Sequence, residues 1–408
     1  MCFRFGLFVA RAYLAAQNSL LALVTFVLFR PDTEIEPDSI LVYRTARLGD
    51  FIVAIPALAV LRRRFPSARI VLLTTSSTAQ NMQTVTQTYT GNGSSLPWLS
   101  LVVPALVDEA IVLPMGSWRA GLEEARQCIG ALNPDAVFVL PFSSEDGVNR
   151  LKKMLFLRLA GATGPVYGRR IHSTTRLLRE AQYRAGMFEH QVWGPLRAVM
   201  ECSLVPLVEE RDVTFPLTID SEAECWRQQL WERQGWFGKR IVAIFPGGMF
   251  PHKRWPWEKF AEVCRTLQAK YDVVFVLLGA STDREFCDRV STTLETGISL
   301  NLAGQTSMMQ LAALLRRCIL FVGNDSGPVH LASALGCPST TLTSSIVYPG
   351  WWEPWNSRAF ALRHRVACQY CFSHTHCPLE TNECIKEIGV EEVIATCKAL
   401  LSHPSLSV

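Results

Sequence analysis

The sequence predicts an α/β protein built from two Rossmann-like domains, each organised around a mainly parallel sheet. Along most of its 408 residues, short β-rich apolar runs alternate with segments of helical period. The alternation occurs in two series, separated by a stretch rich in Pro, Asp and Glu at residues 206–221. A chain of this length can bury two full cores. We expect a ligand cleft between the domains, at the carboxyl ends of the strands.

The first domain is predicted over residues 40–210. Strand Ile40–Tyr43 leads through a loop to Asp50, near the start of a helix that Pro56 kinks or restarts. Strand Ile70–Leu73 follows and completes a βαβ unit. The other predicted elements are a mobile loop at Gln80–Leu99, strands Ala110–Leu113 and Ala136–Leu140, helix Trp118–Leu132 and a mostly helical basic region, Arg150–Arg197.

The second domain is predicted over residues 216–385, followed by a C-terminal helix and tail at 386–408. Its predicted helices are Glu222–Gln234, Trp257–Lys270, Ser281–Thr293, Met308–Arg317 and one from about Pro328; its predicted strands are Ile241–Phe245, Val273–Leu278 and Leu320–Val322.

Residues 1–30 form a hydrophobic segment that we expect to associate with a membrane. Its clean apolar run, Leu20–Phe29, has ten residues, too few to span a bilayer alone. An interfacial helix is the preferred interpretation, with a span from about Phe5 to Phe29 as the alternative.

Charge and composition exclude several classes of protein. With 49% hydrophobic and 19% charged residues the chain is globular, and a net charge of +4 gives no indication of nucleic-acid binding. Arg150–Arg197, however, holds ten basic residues against two acidic ones. These are either solvated helix faces or a surface for an anionic acceptor or anionic lipid headgroups.

The stretch from Leu320 to Pro338 predicts a ligand site at the end of a buried strand. Ser326, Gly327 and a proline begin a helix, whose free N–H groups and dipole suit a phosphate. Asp325 would repel phosphate but accepts hydrogen bonds from a sugar hydroxyl, so the pattern indicates a nucleotide-sugar. His330 lies on the same helix, where a packed or capping role is the more common one.

A second candidate loop follows the predicted strand Ile241–Phe245. Gly247 and Gly248 allow the backbone to approach a ligand, and Lys253 and Arg254 can neutralise a diphosphate. A basic surface loop is the alternative.

Two further candidates are carboxylates. Asp50 could be a general base or simply a helix N-cap. Asp283 could bind ribose hydroxyls or cap a helix.

Four cysteines cluster near the C-terminus, at positions 368, 371, 377 and 384. Their spacing allows structural zinc, a redox-labile disulfide pair or free thiols. The other nine are scattered, as is usual in a reducing compartment.

Three motifs in this order resemble the heptosyltransferases of glycosyltransferase family 9, which act on the inner core of lipopolysaccharide. They are Arg47-Leu48-Gly49-Asp50, the Pro246–Pro256 loop and Gly323–Gly336, and the similarity extends over about Ile40–Leu401.

The resemblance implies a GT-B fold with an N-terminal acceptor domain and a C-terminal donor domain. It implies inverting transfer of heptose from an ADP-sugar to a lipid-linked anionic glycan at the cytoplasmic face of the inner membrane, with no metal and no cofactor. Asp50 would be the base, and Arg47 and Gly49 would contact the acceptor. The donor would be bound by Gly247, Gly248, Lys253, Arg254, Asp283, Asp325, Ser326, Gly327 and His330, with Lys253 also stabilising the leaving diphosphate.

The sequence departs from the family pattern in three places: the N-terminal extension, the enlarged Gln80–Leu99 loop, and Asp283 as the acidic residue after Gly279. Two alternatives are a GT-B nucleotide-sugar epimerase and a non-catalytic nucleotide-sugar binder. The first would not need the N-terminal segment, and the second would be expected to lose Asp50.

Overall fold

A computed structural model describes residues 2–28, 34, 36–45, 47–75, 87–89, 96–113, 118–141, 145, 147–170, 180, 183–186, 189–373 and 375–402. The chain divides into two compact units, Met1–Thr218 and Ile219–Val408, and this division falls inside the predicted linker.

The first unit contains a sheet whose described strands are β1 (Ser39–Tyr43), β2 (Arg69–Thr75), β3 (Gln87–Tyr89), β4 (Glu109–Leu113), β5 (Ala136–Val139) and β6 (Val166–Tyr167). Their order is β3-β4-β2-β1-β5-β6, and β3 alone is antiparallel to its neighbour among these pairs. The described helices are α1 (Cys2–Leu28), α2 (Leu48–Ile52), α3 (Ile55–Arg64), α4 (Trp118–Leu132), α5 (Gly147–Leu159) and α6 (Trp193–Val199), with 3₁₀ turns at Pro97–Leu101 and Glu210–Asp212.

The second unit contains a parallel sheet with the described strands β7 (Arg240–Phe245), β8 (Val273–Leu277), β9 (Ser299–Asn301), β10 (Leu320–Asn324), β11 (Ser339–Leu342) and β12 (Ala359–Leu362), in the order β12-β11-β10-β7-β8-β9. The described helices are α7 (Ser221–Gln234), α8 (Trp257–Lys270), α9 (Arg284–Ser291), α10 (Met308–Arg317), α11 (Gly327–Ala334), α12 (Glu383–Lys386) and α13 (Val390–Leu401), with 3₁₀ turns at Pro251–Lys253 and Ser281–Asp283.

Local sequence signals explain several of these boundaries. Asp220 caps α7 by accepting a hydrogen bond from the amide of Ala223 at 2.7 Å, and Gly235 ends the helix in a left-handed conformation. Pro56 stands in the first turn of α3 and therefore begins a new helix rather than kinking one.

Each sheet has one point where the chain order reverses. In the first unit the chain runs from β1 outward through β2 to β4 and returns on the other side of β1 as β5. In the second unit the reversal lies between β7 and β10. Ligands of open α/β sheets bind outside the carboxyl ends of the strands at such switch points.

The structure corrects three predictions about elements. The predicted loop Gln80–Leu99 contains a strand at Gln87–Tyr89, and Trp98 near its end is buried, although residues 80–86 and 90–95 lie outside the described residues. Helix α9 begins at Arg284, because Ser281–Asp283 forms a 3₁₀ turn. The C-terminal helix is part of the second unit, since Val393 and Cys397 lie in its core.

Helix α1 packs on the first unit through Leu21, which is 3% exposed and belongs to that unit's core cluster; Leu14 and Leu28 pack against the same cluster. Other apolar side chains of α1 face outward; the most exposed are Phe8, Leu20, Leu23, Phe26 and Val27. Among the described residues, Arg11–Leu28 is long and apolar enough to cross a membrane, by length and composition only.

Candidate active site

The loop after β7 is shaped by contacts that only glycine permits. A Cβ placed on Gly247 would lie 2.3 Å from the carboxyl group of Asp283, and Gly248 has φ +137°. The carbonyl of Gly248 accepts a hydrogen bond from Arg254 Nε at 2.7 Å. Arg254 also lies over the ring of Phe286, 4.8 Å from its centroid. The predicted phosphate-binding glycines therefore belong to a loop with a defined conformation, which Arg254 helps to maintain.

Asp283 lies at the N-cap position of α9, but its side chain makes no cap hydrogen bond to that helix and accepts instead from the amide that begins the preceding 3₁₀ turn. Its side chain is buried, and its two oxygens accept hydrogen bonds from the amides of Gly248 and Ala280, each at 3.0 Å. It connects the turns after β7 and β8. Asp283 therefore braces the Gly-Gly loop, and its contact with the ribose of a donor stays a prediction.

Asn324, the last residue of β10, was not singled out in the sequence. It is 1% exposed, and its amide nitrogen donates to the carbonyls of Pro246 and Gly247, each at 2.9 Å. Its oxygen accepts from the amide of Trp255 at 3.0 Å. One side chain thus ties both ends of the Pro246–Pro256 loop to the third motif, at the switch point of the sheet. The signal for it was its place between Gly323 and Asp325.

Lys253, Asp325 and His330 meet at the carboxyl ends of β7 and β10. Lys253 Nζ lies 3.9 Å from Asp325 Oδ2, and His330 Nε2 lies 4.0 Å from Asp325 Oδ1. The side chains of Asp325 and Lys253 are 12% and 20% exposed, so both are accessible to a ligand, whereas His330 is buried against Trp352. Ser326 and Gly327 begin α11 beside this cluster. The arrangement offers a lysine, a carboxylate and a helix N-terminus together, which suits a phosphorylated sugar.

The cysteine cluster adjoins the Pro246–Pro256 loop. Cys368, Cys371, Cys377 and Cys384 line one cavity together with His252, the neighbour of Lys253. Burial opposes ionisation of the Cys377 thiol, but the N–H groups of residues 379–382 outweigh it and lower the pKa. Every cysteine whose side chain the structure describes is a free thiol. Within the described residues, no group of three or more His, Cys, Asp or Glu is arranged to hold a metal ion.

In the first unit, Asp50 is the third residue of α2, so it is not the N-cap; Arg47 occupies that position. Arg47 is exposed, whereas Gly49 and Asp50 are half-buried. The backbone carbonyl of Asp50 accepts a hydrogen bond from Arg44 Nη2 at 2.6 Å. This group lies after the carboxyl end of β1, at the switch point of the sheet.

The basic region is less basic at the surface than the sequence predicts. Arg150 is buried, and it pairs with Glu145 at 3.4 Å, as does Lys153 at 2.7 Å. Arg169 pairs with Glu201 at 3.7 Å. Arg184 and Arg197 also have glutamate partners, while Arg176 and Arg179 lie outside the described residues. Acidic residues that flank the region in sequence thus neutralise part of it.

Comparison with known proteins identifies the family. The family model described as glycosyltransferase family 9 (heptosyltransferase) matches residues 154–381. Lipooligosaccharide heptosyltransferase 2 of Campylobacter jejuni subsp. jejuni serotype O:2 is 31% identical over 173 residues, covering 41% of this chain and 53% of that protein. Lipopolysaccharide heptosyltransferase 3 of Escherichia coli K12 is 30% identical over 193 residues, 47% of this chain and 55% of that protein. The chain thus matches about half the length of these curated relatives.

Two solved structures share the fold over nearly the whole chain. The family 9 glycosyltransferase of Veillonella parvula has a TM-score of 0.67 at 23% identity and covers 91% of this chain and 99% of its own. ADP-heptose lipopolysaccharide heptosyltransferase II of E. coli has a TM-score of 0.60 at 22% identity and covers 89% and 98%. Two Rossmann-like sheets with this likeness make the fold GT-B, as the sequence predicts. The matched family model covers more than half of the chain, which therefore belongs to glycosyltransferase family 9.

Proposed function

We propose that this protein is an inverting glycosyltransferase that moves a heptose from an ADP-sugar to a lipopolysaccharide core or a related lipid-linked anionic glycan. An acceptor hydroxyl attacks the anomeric carbon on the face opposite the diphosphate. The bond from that carbon to the diphosphate oxygen breaks, a base takes the hydroxyl proton, and ADP departs. The names of the curated relatives support the choice of heptose and of the lipopolysaccharide acceptor.

The second unit is the proposed donor site. Lys253 would neutralise the diphosphate as it leaves, because it is partly exposed and held near Asp325. The start of α11, with Ser326 and Gly327, would add N–H donors for the phosphates. Asp325 would accept hydrogen bonds from hydroxyls of the sugar, and His330 would keep that carboxylate in place.

The first unit is the proposed acceptor site. Asp50 would be the general base, since it is a half-buried carboxylate at the switch point of its sheet. Arg47, exposed at the preceding turn, would contact an anionic group of the acceptor, and Gly49 would let the acceptor approach the backbone.

The observation that carries this proposal is the meeting of Lys253, Asp325 and His330 at the start of α11. This combination recognises both parts of a nucleotide-sugar, the diphosphate and the sugar hydroxyls. A nucleotide-sugar epimerase or a non-catalytic nucleotide-sugar binder would make the same contacts with the phosphates. The deciding test must therefore include transfer to an acceptor.

The test is a transfer assay with ADP-heptose and a heptose-deficient lipopolysaccharide core, combined with calorimetric titration of ADP, UDP and GDP. We expect selective ADP binding and transfer. Asp50→Asn should leave ADP affinity near normal and lower turnover at least ~100-fold. Lys253→Ala should weaken ADP binding.

Lys239→Ala is the matched control for Lys253→Ala. It removes a lysine of the same unit that pairs with Asp272 at the surface, 2.8 Å away. Unimpaired turnover in Asp50→Asn would refute the base, and equal ADP affinity in the two lysine variants would refute the leaving-group contact. If the protein binds UDP or GDP more tightly than ADP, the proposal of glycosyl transfer is retained and heptose is rejected as the transferred sugar.

We also propose that catalysis needs no metal ion, with Lys253 and Arg254 supplying the positive charge around the diphosphate. Transfer should then continue at an unchanged rate after exhaustive treatment with EDTA. A loss of rate that Mg²⁺ restores would contradict this part of the proposal.

Finally, we propose that the protein works at the cytoplasmic face of the inner membrane, with α1 lying in the headgroup region. The outward apolar side chains of α1 and its attachment through Leu21 support this placement. The protein should float with vesicles of phosphatidylglycerol and phosphatidylethanolamine. The double variant Leu23→Glu, Phe26→Glu should not, whereas Leu207→Glu, at an exposed leucine outside α1, should float normally. Equal flotation of all three proteins would contradict the role of α1.

A further inference from the structure

Arg44, the residue after β1, carries a charged side chain at a position that is almost fully buried. Its side chain is 1% exposed, among the most buried in the protein. Removing a guanidinium from water is costly unless hydrogen bonds replace the lost hydration. Such a group is therefore expected to have specific partners, and those partners indicate what it does.

The partners of Arg44 join three segments at the carboxyl edge of the first sheet. Nη1 donates to the carbonyl of Leu140 at 3.3 Å and to that of Pro141, both directly after β5. Nη2 donates to the carbonyl of Asp50 at 2.6 Å. The amide of Arg44 donates to Leu73 of β2 at 3.0 Å. One buried residue thus connects the ends of β1, β2 and β5 to α2, across the switch point.

Helix α2 needs such a connection because it has five residues. A helix this short has almost no stability of its own. Phe51 anchors it by packing on Trp98, with the ring centroids 4.0 Å apart. That contact fixes the apolar side of the turn, while Arg44 holds the backbone of Asp50 itself.

The charge of Arg44 interacts favourably with two carboxylates, those of Asp50 and Glu145. Burial lowers the pKa of Arg44 to about 10, although the charges of Asp50 and Glu145 act in the opposite direction; the neighbouring charge of Arg150 also contributes to lowering it. The group is therefore still cationic at neutral pH.

We propose that Arg44 is a positioning residue for the transfer reaction: its guanidinium ties the backbone of Asp50 to the end of β5 and so fixes the direction of the Asp50 carboxylate. This inference rests on the proposed function, in which Asp50 is the base. Arg44 does not touch the acceptor; it acts through Asp50.

The test compares Arg44→Lys with a matched arginine of the same unit. Lysine keeps the positive charge but lacks the planar guanidinium, so it cannot donate hydrogen bonds to the carbonyls of Asp50 and Pro141 at the same time. Arg62 makes a similar set of contacts at the opposite, amino edge of the sheet: Nη1 donates to Ala68 at 2.9 Å, Nε to Leu106 at 3.2 Å, and Nη2 pairs with Asp108. Arg62→Lys is therefore the control for a general loss of guanidinium contacts.

The first readout is hydrogen–deuterium exchange of peptides covering residues 47–54. We expect faster exchange there in Arg44→Lys and no change in Arg62→Lys. Unchanged exchange in Arg44→Lys would overturn the proposal. If Arg44→Lys does not fold, Pro141→Gly is the second variant: it makes the backbone around one acceptor carbonyl of Arg44 more flexible and changes no charge. It should raise exchange in the same peptides. Unchanged exchange in Pro141→Gly would equally overturn the proposal.

The second readout is turnover. Arg44→Lys should lower kcat about ten- to a hundredfold, the usual cost of a misplaced catalytic group, with ADP affinity unchanged. In an Asp50→Asn background it should cost less than about threefold, because the group it positions is gone. An equal cost in both backgrounds would overturn the proposal.

The two readouts separate this inference from the proposed function. If Asp50→Asn keeps wild-type turnover, the base assignment fails, and the exchange measurement still decides whether Arg44 holds α2. If Asp50→Asn is inactive and exchange is unchanged in Arg44→Lys, the function stands and the positioning role fails.

Discussion

Asp283 provides the sharpest test of how the donor loop is held. Asp283→Ala removes a buried carboxylate that accepts two hydrogen bonds, one from the amide of Gly248 and one from the amide of Ala280. Hydrogen bonds to a charged group contribute about 1.5 kcal/mol or more each, so the unfolding free energy of the second unit should fall by about 3 kcal/mol. For a unit of this size that is roughly 6–12 °C in Tm. Asp283→Asn keeps an acceptor oxygen for one amide, and we expect about half the loss.

The assay pairs thermal unfolding with ADP calorimetry. Because Asp283 positions Gly248, both Asp283 variants should bind ADP more weakly, in proportion to their loss of stability. Asp220→Ala is the control in the same unit: it removes the cap of α7, should cost about 1 kcal/mol, and should leave ADP affinity unchanged. Full stability with lost ADP affinity in Asp283→Ala would refute the brace and restore a direct donor contact. Unchanged stability and affinity would refute both.

Two further predictions follow from buried polar groups. Asn324→Ala should destabilise the second unit by about 3 kcal/mol in urea unfolding, because three hydrogen bonds of the switch-point loop are lost; an unchanged midpoint would contradict this. The protein should also lose stability as the pH rises above 9, because burial raises the pKa of three thiols to about 12 in the folded state. Above pH 9 the unfolded state releases these thiol protons while the folded state still holds them, so unfolding becomes more favourable. These thiols are Cys287, Cys318 and Cys397. Urea midpoints at pH 7.5 and pH 10 measure the effect, and Cys318→Ala should reduce the difference.

The fold was largely predictable because its signals are local. Helices Trp118–Leu132, Trp257–Lys270 and Met308–Arg317 have the bounds that their apolar period indicates. Strand Gln87–Tyr89 was missed because it is short and polar and lies just before the Gly- and Asn-rich run at residues 91–95, so only its pairing with β4 defines it. The Val390–Leu401 helix was recognised, but its place in the second core depends on contacts with α8 and the sheet that no local pattern reveals.

The same distinction applies to the candidate site: residues in local motifs were predicted, whereas roles that depend on distant partners were not. Lys253, Asp325 and His330 were predicted as separate members of two motifs, and the structure brings them together. The roles of Asp283 and Asn324 depend on partners about 35 and 78 residues away, so spacing could not distinguish a ligand contact from a brace. Arg150 was also predicted at the surface, because a run of basic residues does not show which of them is buried, and Arg150 pairs with Glu145, five residues earlier.

The ties across the two switch points also have a consequence for folding. Arg44 reaches the end of β5 over 97 residues of chain, and Asn324 reaches the loop after β7 over 78. Contacts of such long sequence separation form only after the intervening strands and helices have closed their loops. A fragment that ends before Leu320 keeps the Gly-Gly loop and Asp283, but it lacks Asn324, the side chain that ties both ends of the loop together. Nucleotide-binding competence in the second unit should therefore appear as a late, all-or-none step of folding, and not gradually as the chain is extended.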